Sequence, residues 1–215
     1  MDEDEATPPL HIQAPGSRFT FALDMFERAI VVLLTILFLA RLIPHLGDGP
    51  YNLLIMVSEG MTALFMVIRR PGPMATTLYA WLIAMVGTWS PLLVMPGGLQ
   101  LLPEPVATAM MVAGLMCSIS AKIFLRRSFG IVAANRGVQR EGPYRAVRHP
   151  IYFGYLITQA GFLSISYSGW NLLVYTACWL AMVLRIRAEE AVLAEDEAYR
   201  EYRRQVRYRL LPAIW

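Results

Sequence analysis

The residues best suited to chemistry gather in the last third of the chain. The densest run is Gly142-Pro143-Tyr144-Arg145-Ala146-Val147-Arg148-His149-Pro150-Ile151-Tyr152-Phe153-Gly154, at the entrance to an apolar stretch. Proline is favoured at the first helical position, where its missing N–H would be unpaired anyway. Pro150 therefore opens a helix and holds Arg148 and His149 at its rim. Tyr152 and Gly154 lie about one turn further in, offering a phenol and a gap where a ligand could approach the helix. Arginine can grip a carboxylate through paired hydrogen bonds, and histidine exchanges protons near neutrality. The competing interpretation is an interfacial anchor, with arginine at lipid phosphates, tyrosine in the aromatic belt and glycine as a packing contact.

A second constellation, Arg185-Ile186-Arg187-Ala188-Glu189-Glu190, follows another apolar stretch. Arg185 and Glu189 are four residues apart on one helical face, as in an ordinary surface ion pair. At the edge of a membrane span the same pair is a candidate functional group. A third cluster, Tyr199, Tyr202, Arg203, Arg207 and Pro212, has the composition of a solvated or headgroup-facing surface. No glycine-rich dinucleotide fingerprint, phosphate-binding P-loop or GxSxG nucleophile elbow occurs. Cys117 and Cys178 lie in apolar stretches without CxxC spacing, and His11, His45 and His149 are widely scattered, so neither a disulfide nor a metal site is expected.

The elements that must position these residues are membrane helices. Of 215 residues 56% are hydrophobic and only 16% charged, more apolar surface than one water-soluble core of this size can bury. About 20 apolar residues cross a bilayer. Six stretches approach that length, at 27–46, 51–69, 75–95, 104–125, 150–167 and 169–187, separated by proline- and glycine-rich breaks. The last two are joined tightly enough to require a helical hairpin. With six spans and the N-terminus inside, every basic residue except Arg41 falls on the cytoplasmic side, which sets the orientation. That placement explains the net charge of +3 better than nucleic-acid binding does.

Residues 1–20 are acidic, then proline-rich, and are expected to form a disordered cytosolic tail. Residues 126–149 form a long basic connection rich in turn formers. Residues 188–206 carry acids early and arginines late, as a helix dipole favours, and predict a cytoplasmic helix continuing from the sixth span. Ala113, Gly114 and Ser118 suit close helix packing. Glu59, near the middle of the second span, either lines a tunnel or meets a cation, or else the true span is shifted and it sits near water.

GPYRAVRHPIYFGYL, RIRAEEAVL and EAYREYRRQVRYRLLPAIW, in that order and spacing, resemble the isoprenylcysteine carboxyl methyltransferase family of integral membrane enzymes. The lead-in RRSFGIVAANRGVQREGPY is also similar, so the resemblance spans about residues 122–215. It implies an all-α, polytopic transmembrane bundle of about six spans with a C-terminal cytoplasmic helix over the cofactor site. The domain organisation expected is a tail at 1–20, four spans within 21–125 and a catalytic region at 126–215.

The activity implied is methyl transfer from S-adenosylmethionine to a lipophilic or small-molecule acceptor, with the bilayer as a partner and with neither metal nor nucleic acid. Carried over by position, Tyr144, His149, Tyr152 and Gly154 would line the cofactor, Glu190 would contact it, and Arg148 and Arg185 would be catalytic, near the reacting end. Arg187 and Ala188 stand where the eukaryotic members are acidic, which leaves the acceptor open among a prenylated carboxylate, a lipid amine and a thiol. Two other classes compete: an NADPH-dependent sterol-type reductase, which generally carries a longer C-terminal motif, and a non-catalytic membrane scaffold.

Overall fold

The structure, a computed structural model, describes residues 10–47 and 50–211. Helices dominate it: α1 (Arg18–Leu42), α2 (Pro50–Ile68), α3 (Leu78–Trp89), α4 (Glu104–Leu125), α5 (Pro150–Ile165), α6 (Gly169–Leu193) and α7 (Glu197–Gln205). Their starts follow local chemistry. Ser17, Thr77, Ser168 and Asp196 are N-caps whose side chains accept an amide from the first turn of α1, α3, α6 and α7. Pro105 and Pro150 occupy first-turn positions of α4 and α5, where no N–H is needed.

The distribution of side chains is the reverse of a soluble protein. Phe21, Leu33, Leu53, Leu64, Leu78, Leu82, Leu173 and Leu180 are exposed, whereas Glu27, Arg69, Lys122, Arg136, Arg148, Arg185 and Glu190 are buried. Large exposed apolar surfaces mark membrane or partner contact. Two helical segments of 25 residues, Glu104–Ser128 and Gly169–Leu193, are long and apolar enough to cross a membrane, and Asn52–Ile68 and Leu78–Leu93 are shorter apolar helices. A helix occupies each of the six expected stretches. α1 carries Asp24, Glu27 and Arg28 within its first half, and α5, with 16 residues, is only about 24 Å long.

α5 packs chiefly on α4, and α6 chiefly on α3. The α4–α5 contact is backbone-close because of glycines on both sides. A Cβ on Gly114 would fall 2.5 Å from the Gly154 carbonyl oxygen, and one on Gly154 would fall 2.6 Å from that of Gly114. The small-residue stretch is thus a packing seam within one chain. The tight connection from α5 to α6 does not make a closely packed hairpin. The two helices diverge and meet through long side chains, with Trp179 donating to Gln159 at 2.8 Å and the Phe162 and Tyr175 rings edge to face.

The expected disordered tail is corrected in part. Residues 1–9 lie outside the described residues, but β1 (Ile12–Gln13) pairs antiparallel with β2 (Met74–Ala75), and Leu10 and Ile12 pack on Ala75, Ala80 and Val192. Leu10 and Ile12 are apolar enough to anchor the segment despite its acidic, proline-rich neighbours. The continuous helix expected through 188–206 is also broken. α6 ends at Leu193, and Asp196 caps a new helix, because its carboxylate accepts the amide of Ala198 at 2.8 Å.

The glycine seam yields a test. Gly114→Leu should lower the unfolding midpoint in detergent, since overpacking a close contact costs about 1–3 kcal/mol. Gly60→Ala, where nothing lies within 4 Å of the new methyl, should leave it unchanged or higher.

Candidate functional site

A cavity of about 380 Å³ opens between α5 and α6 and reaches α1, α2 and α3. Its wall combines polar and aromatic residues, Tyr144, Arg148, His149, Tyr152, Arg185 and Glu189 among them, with apolar ones such as Val31, Leu34, Phe38, Ile55, Trp89 and Leu92. The long basic connection and Tyr199 and Tyr202 of α7 also line it.

The polar residues of the wall gather where the start of α5 meets the end of α6. Glu190 is the hub. Its Oε1 lies 2.9 Å from Arg148 Nε and 3.1 Å from His149 Nε2, and its Oε2 accepts from Arg209 Nε at 2.9 Å. Backbone pairing reinforces this: the amides of Arg148 and His149 donate to the carbonyls of Tyr208 and Arg209, each at 2.9 Å. The segment after α7 therefore lies beside the entrance to α5. The Tyr202 hydroxyl donates to the Tyr144 carbonyl at 2.6 Å, so α7 is fastened to the same corner.

Glu189, one residue earlier, turns toward the cavity and accepts from the Tyr152 hydroxyl. Arg185 lies over the Tyr152 ring, 5.1 Å from its centroid, and donates to Ile131 O at 2.9 Å and Thr88 Oγ1 at 3.1 Å. Burial first, then the charge of Glu189, holds the Tyr144 phenol well above its ordinary pKa, so it stays neutral. Burial likewise raises the hydroxyls of Tyr199 and Tyr202.

Of the residues expected from sequence, Tyr144, Arg148, His149, Tyr152 and Arg185 come together in the cavity wall. Two are placed differently. Gly154 faces α4 rather than the cavity, since a side chain there would strike Gly114 and Ser118, so the open approach expected beside it is absent. Glu190 is not part of the wall and is engaged by Arg148, His149 and Arg209. From the third cluster Tyr199 and Tyr202 turn inward and Arg207 is exposed, while Pro212 lies outside the described residues.

Sequence reasoning singled out Glu189 with Arg185 but gave the ligand contact to Glu190, because nothing local decides which of two adjacent glutamates faces the cavity. It missed a buried ionic cluster behind the basic connection. Glu27 of α1, fully buried, accepts from Arg69 at 2.8 Å with one oxygen and from the amides of Ile131 and Val132 at 2.9 and 3.0 Å with the other. Arg69 also donates to Asp24. The carboxylate thereby fixes the loop that carries Ile131, whose carbonyl holds Arg185. Glu59 lines the cavity and lies 3.8 Å from fully buried Lys122, whose ammonium donates to Ser58 O, Ser58 Oγ and Thr62 Oγ1 at 2.8–3.0 Å.

Glu27→Ala would leave Arg69 unpaired at this oxygen and two amides without an acceptor. The expected loss is about 3–5 kcal/mol, as for other broken buried ion pairs. It should appear as a lower unfolding midpoint and as faster tryptic cutting within residues 126–148.

Two comparisons bear on the class of chemistry. No curated protein matches the chain in sequence. Residues 104–201, which include the α4–α5 seam, the Glu190 hub and the start of α7, match the family model described as phospholipid methyltransferase, which indicates a membrane methyltransferase as the general class of this part of the chain.

Proposed function

We propose that the chain is an integral membrane methyltransferase that uses S-adenosylmethionine to methylate a lipophilic acceptor at the cytoplasmic face. The observation that carries this is the cavity itself, whose wall combines charged and aromatic residues with apolar ones. Such a wall suits a polar, aromatic-bearing donor together with a hydrocarbon-bearing acceptor. The polar wall combines a carboxylate, arginines and tyrosines, and Arg185 Nε is buried there without a hydrogen-bond partner. These groups fit a zwitterionic nucleoside-type ligand.

When bound, the sulfonium supplies a methyl group already activated for in-line displacement. The residues around it need only align donor and acceptor and exclude water. In this proposal Tyr144, His149 and Tyr152 line the donor, and Arg148 and Arg185 flank the reacting end. Glu190 acts by holding Arg148 and His149 in place, and Gly154 by letting α5 seat against α4. A carboxylate acceptor, such as a prenylated cysteine, needs orientation by an arginine and no base. An amine or thiol acceptor needs a proton acceptor, and His149 and Glu189 are the wall residues able to serve.

The same proposal takes α1 to α6 as six crossings with both termini and the polar residues of the cavity wall inside. The exposed apolar faces and the cytoplasmic bias of the basic residues support it. The narrower resemblance to isoprenylcysteine carboxyl methyltransferases is kept for the architecture of residues 122–215, not for the acceptor.

Calorimetry on the detergent-held protein tests this directly, with S-adenosylmethionine, S-adenosylhomocysteine and NADPH as ligands. Saturable binding of the two sulfur ligands alone is expected, weakened about tenfold or more by Glu190→Ala, which frees Arg148 and His149 from their shared partner. Binding of NADPH instead would move the chain to the reductase class. A folded sample that binds none of the three would leave a non-catalytic scaffold as the better account.

A further inference from the structure

Arg136, in the long basic connection, is not used by the proposal above. It lines the cavity, its side chain is only 2% exposed, and among the described residues it makes no hydrogen bond through its side chain. The carboxylates nearest to it, Asp24 and Glu27, are 3.8 and 3.9 Å away. Both are already taken. Asp24 receives Arg28 at 2.7 Å as well as Arg69, and Glu27 receives Arg69 and two backbone amides. Three guanidinium groups thus share two carboxylates, and Arg136 is the one left over.

The surroundings hold its position. The Ser128 hydroxyl donates to the Arg136 carbonyl at 3.0 Å, fixing the backbone. Gly130 lies against the guanidinium so closely that a Cβ there would collide with Nη1. Burial, and then the neighbouring charge of Arg69, lower the guanidinium to about 10, yet it remains a cation at physiological pH. A buried donor left without an acceptor is costly, and a guanidinium offers five N–H groups in a planar fork that matches carboxylate or phosphate oxygens.

We infer that Arg136 is an anion-binding residue of the cavity, whose guanidinium takes the carboxylate or phosphate of a bound ligand. The inference rests on the methyltransferase proposal for the identity of that ligand. Two sources carry the chemistry: the amino-acid carboxylate of the methyl donor, and the phosphate of a lipid acceptor.

The test is calorimetry on the full chain in a maltoside micelle, which contributes no phosphate. The probes are S-adenosylhomocysteine, its decarboxylated analogue and dihexanoyl phosphatidic acid, each titrated into wild type and Arg136→Gln. Loss of a charged hydrogen-bonded contact should weaken the relevant anion about tenfold to a hundredfold. If Arg136 holds the donor carboxylate, S-adenosylhomocysteine weakens in the variant, and the decarboxylated analogue binds both proteins equally. If it holds a lipid phosphate, phosphatidic acid weakens and S-adenosylhomocysteine does not.

Should Arg136→Gln fail to fold, Gly130→Ala serves in its place, because the added methyl displaces the guanidinium without removing it and should weaken the same probe. Unchanged affinities for S-adenosylhomocysteine and phosphatidic acid in a folded variant would overturn the inference. A wild type that binds phosphatidic acid through Arg136 but no sulfur ligand would keep the anion site and overturn the methyltransferase proposal. Binding of neither by wild type would overturn both.

Discussion

Leaving an ionised side chain unpaired in a low-dielectric interior is costly, and this chain buries several around its cavity. Glu27 is the clearest case. Its carboxylate joins α1 to the end of α2 through Arg69 and to the basic connection through two backbone amides. The connection packs Phe129, Ile131 and Val132 into the core, and this acceptor fixes its backbone there. Ile131, held there, presents the carbonyl that fixes Arg185. Elsewhere Glu190 gathers Arg148, His149 and Arg209. Two buried carboxylates, 163 positions apart in the sequence, thus hold residues that line one cavity.

Much of the helical framework was legible from composition and breakers. α4 starts and ends where the apolar stretch at 104–125 does, because proline opens it and two arginines close it. The polar corner was legible too, since Pro150 opens α5 and the charged run Arg185–Glu190 falls in the last turns of α6. The finer arrangement was not. Glu27 meets Arg69, Ile131 and Val132 across 42 to 105 positions, and no local pattern encodes such a partner. The choice between Glu189 and Glu190 depends on helix rotation of about 100° per residue, which follows from packing and not from type. Gly154 could equally serve a ligand or a neighbouring helix; only the position of Gly114 decides it.

The inverted distribution of charge ties these details to a membrane setting. Exposed leucines and phenylalanines are tolerable where lipid is the solvent, and buried arginines are tolerable where each meets a carboxylate, a carbonyl or a ring. The apolar lining of the cavity is part of the same logic, since Leu34, Phe38 and Ile55 line space between helices whose outer faces are also apolar.

The glycine seam has a mechanical consequence. α4 and α5 are locked by backbone proximity at Gly114 and Gly154, and α6 is attached mainly to α3. The cavity therefore sits on the boundary between two pairs of helices, each stiff within itself. The bonds that cross this boundary include those from Trp179 to Gln159, from Tyr152 to Glu189 and from His149 to Glu190, all between side chains. Any widening to admit a bulky molecule falls on that boundary, and Glu190, near the end of α6, clasps the rim at Arg148 and His149 across it.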